Sequence, residues 1–515
     1  MTNLEQEQIR FKMQQEIDAS KTTECRKRMG QYSTPYMLAK DIVEESLPYL
    51  EGMQGISVLE PAMGTGALVS ALLETLPDRI SHVRGYELDY DYFGVAQKLW
   101  AGIGIETIQG DFTKAFPDMK FDVVFANPPY SRHQAISPEE KHYLQQISKS
   151  DTAISVSGLA SMYCYFLLLS LKWMKPGAVG IWLIPSEWMS VNYGMAIRSF
   201  LIRNVTLLRI HTFDVYDLRF SDALVSSCVV WFKNEQSKGT EDVIFSFGED
   251  LHKPNRIDKY AFSSLAKCGK WPPSSKANDV RWKIGDFFTI RRGIVTGDND
   301  FFVLDEQKVK ELDIPMLYLK PILPSPRHIK VDHIEAGPDG LPINAQKCFL
   351  LDCTGYAKEA LPQNVQLYLA SREHLALKKK LCANRNRWYD QEQRVPTSFL
   401  CSYMGRYAEG HSPVRFILND TNAIVSNSFL MLYPRKQLKT LLSRNSQWTY
   451  DVWKTLTTIP TNDIIEAGRS YGGGLRKIEP LELASVPCEA LYHWMTVQGI
   501  EVHHEDDDGQ LLLFA

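Results

Sequence analysis

Several features that would place a chain in a class at once are missing from this sequence. Its nine cysteines are scattered and form no CxxC pair, which argues against a zinc site or a disulfide framework and fits a reducing compartment. No apolar run is long enough to cross a bilayer, and the first residues lack the apolar stretch of a secretion signal. The phosphate-binding motif GxxxxGK(S/T) is also missing, which argues against ATP. We therefore predict a cytoplasmic protein with no membrane contact and no bound metal.

Charge is distributed unevenly along a chain of ordinary composition. The 515 residues suffice for two to four domains, and the hydrophobic content of 44% and charged content of 23% are typical of globular proteins. The net charge is −4, yet Ser371–Pro480 holds 17 Lys and Arg against 9 Asp and Glu, a net charge of +8. This basic segment predicts a surface for an anionic partner. An ordinary solvated basic face is the alternative.

The first half of the chain alternates between strand and helix patterns. Short apolar runs that predict strands occur at Ile56–Glu60, His82–Leu88, Ile105–Gln109 and Phe121–Ala126, separated by helical patterns. This rhythm predicts an α/β fold, a parallel sheet wound by helices. After residue 280 the strands become shorter and the alternation is lost, which favours a second domain of α+β type.

The predicted organisation has five parts. They are an N-terminal arm (1–25), a first domain (26–245), a linker rich in Gly, Pro, Ser and Lys (246–280), a second domain (281–500) and an acidic tail (501–515).

The most informative stretch is the loop Asn127-Pro128-Pro129-Tyr130, which directly follows the apolar run Phe121–Ala126. Two consecutive prolines make a stiff loop at the carboxyl end of a strand, the edge of an α/β sheet where ligands bind. The loop offers the amide oxygen of Asn127, the carbonyl of Pro128 and the ring of Tyr130. Two acceptors beside a stacking face suit a planar base with an exocyclic amino group. The alternative is an ordinary loop in which Tyr130 packs internally.

Three other predicted strands also end in residues that suit a nucleoside. Glu60–Gly66 (EPAMGTG) is a glycine turn that lets backbone approach a ligand, and Glu87 can accept from ribose hydroxyls. Asp111 can accept from an adenine amino group, and Phe112 can stack on the ring. Because a carboxylate at Glu60 would repel a pyrophosphate, a nucleoside that carries an amine, such as S-adenosylmethionine, fits this pattern best.

The order of these motifs resembles a known family. TP (34–35), EPAMGTG (60–66), YELD (86–89), GDF (110–112) and NPPY (127–130) look like the DNA adenine-N6 methyltransferases of restriction–modification systems, in the gamma arrangement and of the Eco57I/TaqI-like type. The resemblance continues through RRGIVTGDNDFF (291–302) and YGGGLRKIEPLEL (471–483). It implies a Rossmann-like S-adenosylmethionine-dependent methyltransferase domain at 26–245 and a C-terminal α+β target-recognition domain at 281–500.

The resemblance also implies roles for individual residues. The implied cofactor-binding residues are Thr34, Pro35, Glu60, Ala62, Gly64, Gly66, Glu87, Leu88, Asp111, Phe112 and Asn127. In catalysis, Asn127 and Pro128 accept hydrogen bonds from the target amino group, and Tyr130 stacks on the target base. Phe220 is implied on the other face of the base, and Phe213 is its rival.

For the whole protein, the resemblance implies site-specific methylation of double-stranded DNA by a monomer in a bacterial or archaeal cytoplasm. A partner restriction endonuclease is implied genetically, and methylation protects host DNA from it. The basic segment then contacts phosphates and bases, and its aromatic residues Trp388, Tyr389 and Tyr403 fill the gap that a flipped base leaves. The alternatives are the same chemistry on RNA or on a protein glutamine, and a non-catalytic DNA-binding specificity protein.

Overall fold

The computed structural model describes residues 3–131, 133–213, 227–272, 281–406, 412–471, 475–500 and 502–503. Phe220 and most of the predicted tail lie outside these ranges. The chain divides into two compact units, Met1–Ser275 with Tyr471–Gly474, and Lys276–Ser470 with Leu475–Ala515. Within the described ranges, no helix combines the length and the hydropathy that a membrane span requires.

The first unit alternates helices with the strands of one large sheet. Its helices are α1 (Asn3–Ser20), α2 (Thr23–Met29), α3 (Tyr36–Ser46), α4 (Ala67–Thr75), α5 (Tyr90–Trp100), α6 (Pro138–Thr152), α7 (Met162–Ser170), α8 (Met195–Arg203) and α9 (Phe262–Leu265). Its strands are β1 (Ile56–Glu60), β2 (Ile80–Glu87), β3 (Ile105–Gln109), β4 (Phe121–Ala126), β5 (Met174–Pro185), β6 (Thr206–Thr212), β7 (Ser227–Lys233), β8 (Asp242–Phe247) and β9 (Arg256–Ala261).

The nine strands form one sheet in the order β3-β2-β1-β4-β5-β7-β6-β8-β9. β1 to β5 run parallel to one another, and β7 is antiparallel to both β5 and β6. Both faces of the sheet are covered by packed side chains. Successive side chains of a strand point to opposite faces of a sheet, so a strand buried on both faces contributes to two clusters. In β4, Val123 and Phe125 belong to one buried cluster, and Val124 and Ala126 belong to the other. The predicted Rossmann-like α/β fold is confirmed.

The sheet extends beyond residue 245, where the first domain was predicted to end. β8 pairs in parallel with β6, and β9 pairs antiparallel with β8, so residues 246–247 and 256–261 of the predicted linker 246–280 are part of the sheet. The linker prediction was wrong because Arg256–Ala261 has no buried residue and carries three charged side chains. An edge strand of this kind lacks the apolar pattern by which buried strands are found.

The N-terminal segment 1–25 is not an exposed arm, because α1 packs against α4 and α5. Its buried positions are polar, and they include Gln6, Glu7, Arg10 and Gln14. A helix that buries charged and amide side chains shows no apolar stripe in its sequence. That missing stripe is the reason for the wrong prediction.

The second unit is built from three smaller sheets and short helices. Its helices are α10 (Ile284–Phe287), α11 (Asn299–Phe302), α12 (Glu306–Glu311), α13 (Gln363–Ala376), α14 (Lys380–Ala383), α15 (Lys436–Leu442), α16 (Gln447–Thr457), α17 (Thr461–Ala467), α18 (Pro480–Ala484) and α19 (Glu489–Val497). Its strands are β10 (Phe288–Arg292), β11 (Val303–Asp305), β12 (Leu319–Leu323), β13 (His333–Ile334), β14 (Cys348–Leu351), β15 (Phe399–Ser402), β16 (Met404–Arg406), β17 (Phe416–Asn419), β18 (Ile424–Val425), β19 (Phe429–Pro434), β20 (Arg469–Tyr471) and β21 (Leu475–Lys477).

The three sheets have the orders β10-β19-β15-β17-β13, β11-β14-β12-β18 and β16-β21-β20. The α+β character predicted for this unit is confirmed. Its aromatic residues Trp388, Tyr389 and Tyr403 are 7%, 4% and 1% exposed and belong to the hydrophobic core. In this structure they are core residues, and their role beside a flipped base stays a prediction. Aromatic side chains bury large apolar areas, and nearby basic residues do not make them part of a binding surface.

Candidate functional site

Four adjacent strands bring the predicted site residues to one edge of the sheet. β3, β2, β1 and β4 are consecutive and parallel, so their carboxyl ends lie side by side. A cavity of about 360 Å³ opens there, a size typical of small-molecule sites. The predicted residues that line it are Thr34, Glu60, Ala62, Gly64, Glu87, Leu88, Asp111, Phe112 and Asn127.

The glycine turn after β1 is tied to the end of β2. The N–H of Gly64 donates to Glu87 Oε2 at 2.9 Å, and Asp89 N–H donates to Glu87 Oε1 at 2.8 Å. Gly66 has φ +89°, and a Cβ at this position would lie 2.5 Å from Nε1 of Trp100. Only glycine fits such a conformation and approach without strain. Glu87, predicted to bind ribose, therefore also holds the turn in place.

Glu60 is a buried carboxyl group that faces the same cavity. It is 3% exposed, and its Oε2 has no hydrogen-bond partner among the residues that the structure describes. Burial raises its pKa well above the usual range, Glu87 raises it further, and Arg10 opposes the shift. Burial also raises the pKa of Glu87, although the two backbone N–H groups counteract this. A buried acidic group with an oxygen that lacks a partner in the described ranges forms a site prepared for a donor or a cation.

The end of β3 contributes a polar and an apolar wall. Asp111 caps the short 3₁₀ helix Phe112–Lys114 by accepting from the Thr113 N–H at 3.0 Å and from the Thr113 hydroxyl at 2.6 Å. Phe112 is 2% exposed and packs against Tyr86, as part of a larger aromatic cluster. Leu88 lines the cavity with a side chain that is 56% exposed. These residues give the cavity a lining of mixed polarity.

Asn127 follows β4 and has a defined amide orientation. Its Nδ2 donates to the carbonyl of Tyr32 at 3.1 Å and to Thr34 Oγ1 at 2.9 Å. Its Oδ1 is buried and accepts no hydrogen bond from the described part of the chain. Asn127 also lines the cavity. A buried acceptor without a partner is costly, so it marks a place for a donor from a ligand.

Pro129 of the NPPY loop also lines the cavity, whereas Tyr130 is buried. Tyr130 is 8% exposed, and its hydroxyl donates to the Leu183 carbonyl at 3.2 Å. Its ring lies 5.7 Å from the ring of Tyr32, with an interplanar angle of 37°. Burial raises the pKa of Tyr130 well above its usual value, so its phenol stays protonated. Pro128 is buried as well.

The other predicted residues fall outside the cavity lining. Pro35 precedes α3 as its N-cap residue, and Gly66 precedes α4 in the same way. Phe213, the rival of Phe220, is 2% exposed and packs edge-on against His211 at 4.9 Å. The roles predicted for all these residues stay predictions.

The N-terminal segment contributes residues that the sequence did not reveal. Arg10 is 2% exposed and donates to both carboxylate oxygens of Glu7 at 2.7 Å, and to Thr65 Oγ1 in the glycine turn at 2.7 Å. Thr65 in turn donates to Oε1 of Gln14 at 2.6 Å, and Gln14 lines the cavity. No sequence motif marked these residues, because they are polar positions in a helix far from the glycine turn in sequence.

A second connection runs from the segment before β1 to the end of β2. Asp89 accepts from Lys21 at 2.8 Å and from the amide of Gln31 at 2.9 Å. Burial favours a higher pKa for Asp89, but the hydrogen bonds from Lys21 and Gln31 outweigh it and lower the pKa. Gln31 also lines the cavity, and its Oε1 is buried without a partner in the described ranges. The signal that could have found Gln31 is its position three residues before the TP motif.

Comparison with known protein families identifies the chain. The model of the Eco57I restriction-modification methylase matches residues 78–218, and the model of the C-terminal domain of the type II methyltransferase M.Eco57I matches residues 275–502. The chain belongs to the Eco57I-type restriction-modification methylases. The predicted family is thereby confirmed.

Individual methylases match along most of the chain. The type II methyltransferase M.AccI of Acinetobacter calcoaceticus is 26% identical over 494 residues, which cover 92% of this chain and 87% of the relative. The type II methyltransferase M.XamI of Xanthomonas campestris pv. amaranthicola is 23% identical over 452 residues, or 84% and 80% of the two chains. Among solved structures, the type IIL restriction-modification enzyme MmeI in complex with DNA superposes with a TM-score of 0.55 at 12% identity, over 93% of this chain and 77% of MmeI. At that identity, MmeI supports the fold alone.

The cofactor of this methylase is S-adenosylmethionine. The residues present fit it, because Glu60 lines the cavity and its Oε2, which has no partner in the part of the chain that the structure describes, can accept from an ammonium group. The cavity also joins the nucleoside-type strand ends to Asn127 within one volume of about 360 Å³.

Proposed function

We propose that this methylase transfers a methyl group from S-adenosylmethionine to the N6 amino group of adenine in a specific double-stranded DNA sequence. The observation that carries the proposal is the Oδ1 of Asn127, a buried acceptor with no partner in the described chain, on a residue that lines the cofactor cavity. An exocyclic amino group supplies the N–H donor that this oxygen requires.

The chemistry at Asn127 follows from the electronic structure of adenine. The lone pair of the exocyclic nitrogen is delocalised into the ring, so the nitrogen is a poor nucleophile. Hydrogen bonds that its two N–H groups donate to Asn127 Oδ1 and to the Pro128 carbonyl favour a pyramidal nitrogen with an available lone pair. Such hydrogen bonds strengthen as positive charge develops on nitrogen, and this lowers the barrier.

S-adenosylmethionine, when bound, supplies an electrophilic methyl group on a sulfonium centre. The residues of this chain bind and orient it through the strand ends. In the proposal, Glu60 accepts from the amino-acid ammonium group, and Glu87 accepts from the ribose. Asp111 accepts a hydrogen bond from the adenine of the cofactor, and Phe112 stacks on its ring. Holding donor and acceptor near contact distance supplies much of the rate.

The target adenine has to leave the DNA stack before it can reach Asn127. Base flipping costs a few kcal/mol, and stacking on an aromatic ring returns roughly 1–3 kcal/mol. Tyr130 is the stacking partner in the proposal. Because the ring of Tyr32 packs on Tyr130 in this structure, a base that stacks on Tyr130 displaces this contact. Phe220, outside the described residues, is proposed for the second face.

In the proposal, the second unit reads the DNA sequence. Some of its basic residues already form ion pairs and hydrogen bonds within the protein. Arg372 and Lys379 pair with Asp298, whose side chain is 3% exposed. Arg415 donates to Asp332 and to the carbonyls of Ile329 and Val331 at 2.7–2.8 Å. Guanidinium and ammonium groups used in this way support loops. The DNA contacts of the proposal therefore rest on other residues of the basic segment, which reach phosphates and base edges.

In the cell, such methylation protects the recognition sequence from an endonuclease of the same specificity, which is a genetic partner. The test uses radiolabelled S-adenosylmethionine and DNA fragments that together contain all short sequences, followed by hydrolysis and chromatography of the nucleosides. Label in N6-methyladenine at one sequence is expected. Label in RNA or in a protein glutamine, with none in DNA, contradicts the proposed substrate.

The first testable prediction concerns Asn127 itself. Asn127→Ala removes the acceptor, so the single-turnover rate is expected to fall by at least about a hundredfold, the size of effect seen when one positioned hydrogen-bond partner is lost. The dissociation constants for cofactor and DNA are expected to change much less. Rapid-quench kinetics and calorimetry measure the two effects. A near wild-type rate in this variant contradicts the catalytic assignment of the loop.

A further inference from the structure

The loop that precedes α3 contacts the NPPY loop at three points. Gly30 accepts a hydrogen bond at its carbonyl from the Tyr130 N–H at 3.1 Å. The carbonyl of Tyr32 and the hydroxyl oxygen of Thr34 accept from Nδ2 of Asn127 at 3.1 and 2.9 Å. The side chain of Thr34 is thus engaged with the catalytic residue of the proposal.

This contact is enforced by the backbone. Gly30 has φ +70°, and a Cβ there would lie 2.3 Å from the Ser131 nitrogen and 2.5 Å from the Tyr130 nitrogen. Contacts below 3.0 Å with backbone atoms cannot be relieved by a side-chain rotation, so the position requires glycine. Thr34 itself is 8% exposed. The two loops are therefore packed together at a fixed distance.

The chemistry of the contacts defines which way the Asn127 amide points. A backbone carbonyl can accept but cannot donate, so Tyr32 selects the Nδ2 end of the amide. Thr34 Oγ1 accepts the second N–H, which uses both amide donors. The opposite orientation would place Oδ1 against the Tyr32 carbonyl, two acceptors facing each other. Both N–H groups of Asn127 then point to the loop that precedes α3, and Oδ1 is left to accept a hydrogen bond from a ligand in the cavity.

We infer that Thr34 is a positioning residue that, together with the Tyr32 carbonyl, holds the Asn127 amide so that Oδ1 faces the substrate amino group. This inference rests on the proposed function and adds a role that differs from the cofactor contact predicted for Thr34. The TP motif then acts on the rate of transfer, in addition to any effect on cofactor affinity.

The test compares Thr34→Val, Thr34→Ser and the wild type as full-length proteins. Valine keeps the β-branched shape and removes the acceptor, whereas serine keeps the hydroxyl. The single-turnover rate at saturating S-adenosylmethionine and DNA is expected to fall on the order of tenfold in Thr34→Val, the size that one lost hydrogen bond gives. Thr34→Ser is expected to stay within about threefold of the wild type, and calorimetry is expected to show a smaller effect on cofactor affinity than on rate.

A double variant separates positioning from a general loss of structure. If Thr34 acts through Asn127, then Thr34→Val combined with Asn127→Ala transfers methyl groups as slowly as Asn127→Ala alone. A further decrease in the double variant overturns the inference, and so does a wild-type rate in Thr34→Val at saturating cofactor. If Asn127→Ala itself keeps the wild-type rate, the proposed function fails as well. Loss in Asn127→Ala with a normal rate in Thr34→Val overturns the positioning role alone.

Discussion

At the scale of single residues, the site is defined by acceptors that the protein leaves unsatisfied. Asn127 Oδ1 and Glu60 Oε2 are both buried without partners in the described ranges. Each such atom lowers the stability of the protein without ligand, because its lost hydration is not replaced. Active sites commonly carry such costs, since the same atoms bind the ligand more strongly than a satisfied group would.

Replacement of the Glu60 carboxyl group is predicted to raise the stability of the protein without cofactor and to lower its affinity for the cofactor. Its raised pKa means that the folded protein holds a proton where the unfolded chain has lost it. Stability therefore falls as the pH rises from the unfolded pKa towards the folded pKa. Glu60→Gln removes this cost, so denaturant unfolding at pH 7 should show a more stable protein without cofactor. Cofactor affinity should fall by on the order of tenfold, because the ammonium group loses a charged acceptor.

The pH dependence of binding supplies the control for Glu60. In the wild type, calorimetric affinity for the cofactor should rise with pH through the raised pKa of Glu60, because the ionised form is the acceptor. In Glu60→Gln this rise should be lost. An identical pH profile in both proteins would remove Glu60 from the cofactor contact.

At the scale of elements, helix α1 belongs to the cofactor site. Arg10 joins Glu7 of its own helix to Thr65 in the glycine turn, and its charge also counteracts the rise in the pKa of Glu60. The helix therefore contacts the glycine turn through the buried guanidinium group of Arg10 as well as through Gln14. A buried ion pair of this kind is more informative about geometry than about net stability.

Arg10→Leu should destabilise the protein by about 3 kcal/mol, because the carboxylate of Glu7 remains buried without its partner. Urea unfolding followed by circular dichroism measures this. The double variant Arg10→Leu with Glu7→Leu should recover part of the stability, because neither charge is then unpaired. Its cofactor affinity should stay below that of the wild type, because Thr65 still lacks its donor. Lys12→Leu, at an exposed position of the same helix, is the matched control and should change stability by less than about 0.5 kcal/mol.

At the scale of the whole molecule, the charge distribution and the proposed DNA function belong together. Ser371–Pro480 carries a net charge of +8 in a chain whose remainder is acidic. Lysines that neutralise phosphates release counterions, so DNA affinity falls with salt in proportion to the number of contacts. Because the remainder of the protein is acidic, its association with DNA then depends on this basic segment.

A salt titration of the full-length protein tests the segment. Lys378 and Lys380 are exposed in it. Changing both to Ala should reduce the slope of log affinity against log salt by about 1 to 2, since each phosphate contact contributes about 0.9. The matched control changes Lys259 and Lys267, which are exposed in the acidic first unit, and should leave the slope unchanged. Equal slopes in all three proteins would place this end of the basic segment away from DNA.

Sequence reasoning reached the strand-end residues because their placement follows from local structure. Glu60, Glu87 and Asn127 each close an apolar run, and parallel neighbouring strands bring such ends to one edge. The same reasoning identified the fold, the family and S-adenosylmethionine, which the comparisons confirm. It failed for β9 and for α1, where the buried or paired residues are polar and leave no apolar pattern.

The sequence by itself determined the α/β fold through its alternating strand and helix patterns, and it determined the methylase family through short motifs at the ends of strands. Tertiary structure alone decided what those motifs touch. Thr34 meets Asn127 across 93 positions of the chain, and Arg10 meets Thr65 across 55. Contacts over such separations depend on how helices and loops pack against the sheet, and no local periodicity encodes that packing. The pairing of Arg372 and Lys379 with Asp298 also depends on this packing, because the folded structure determines which charged side chains lie close together.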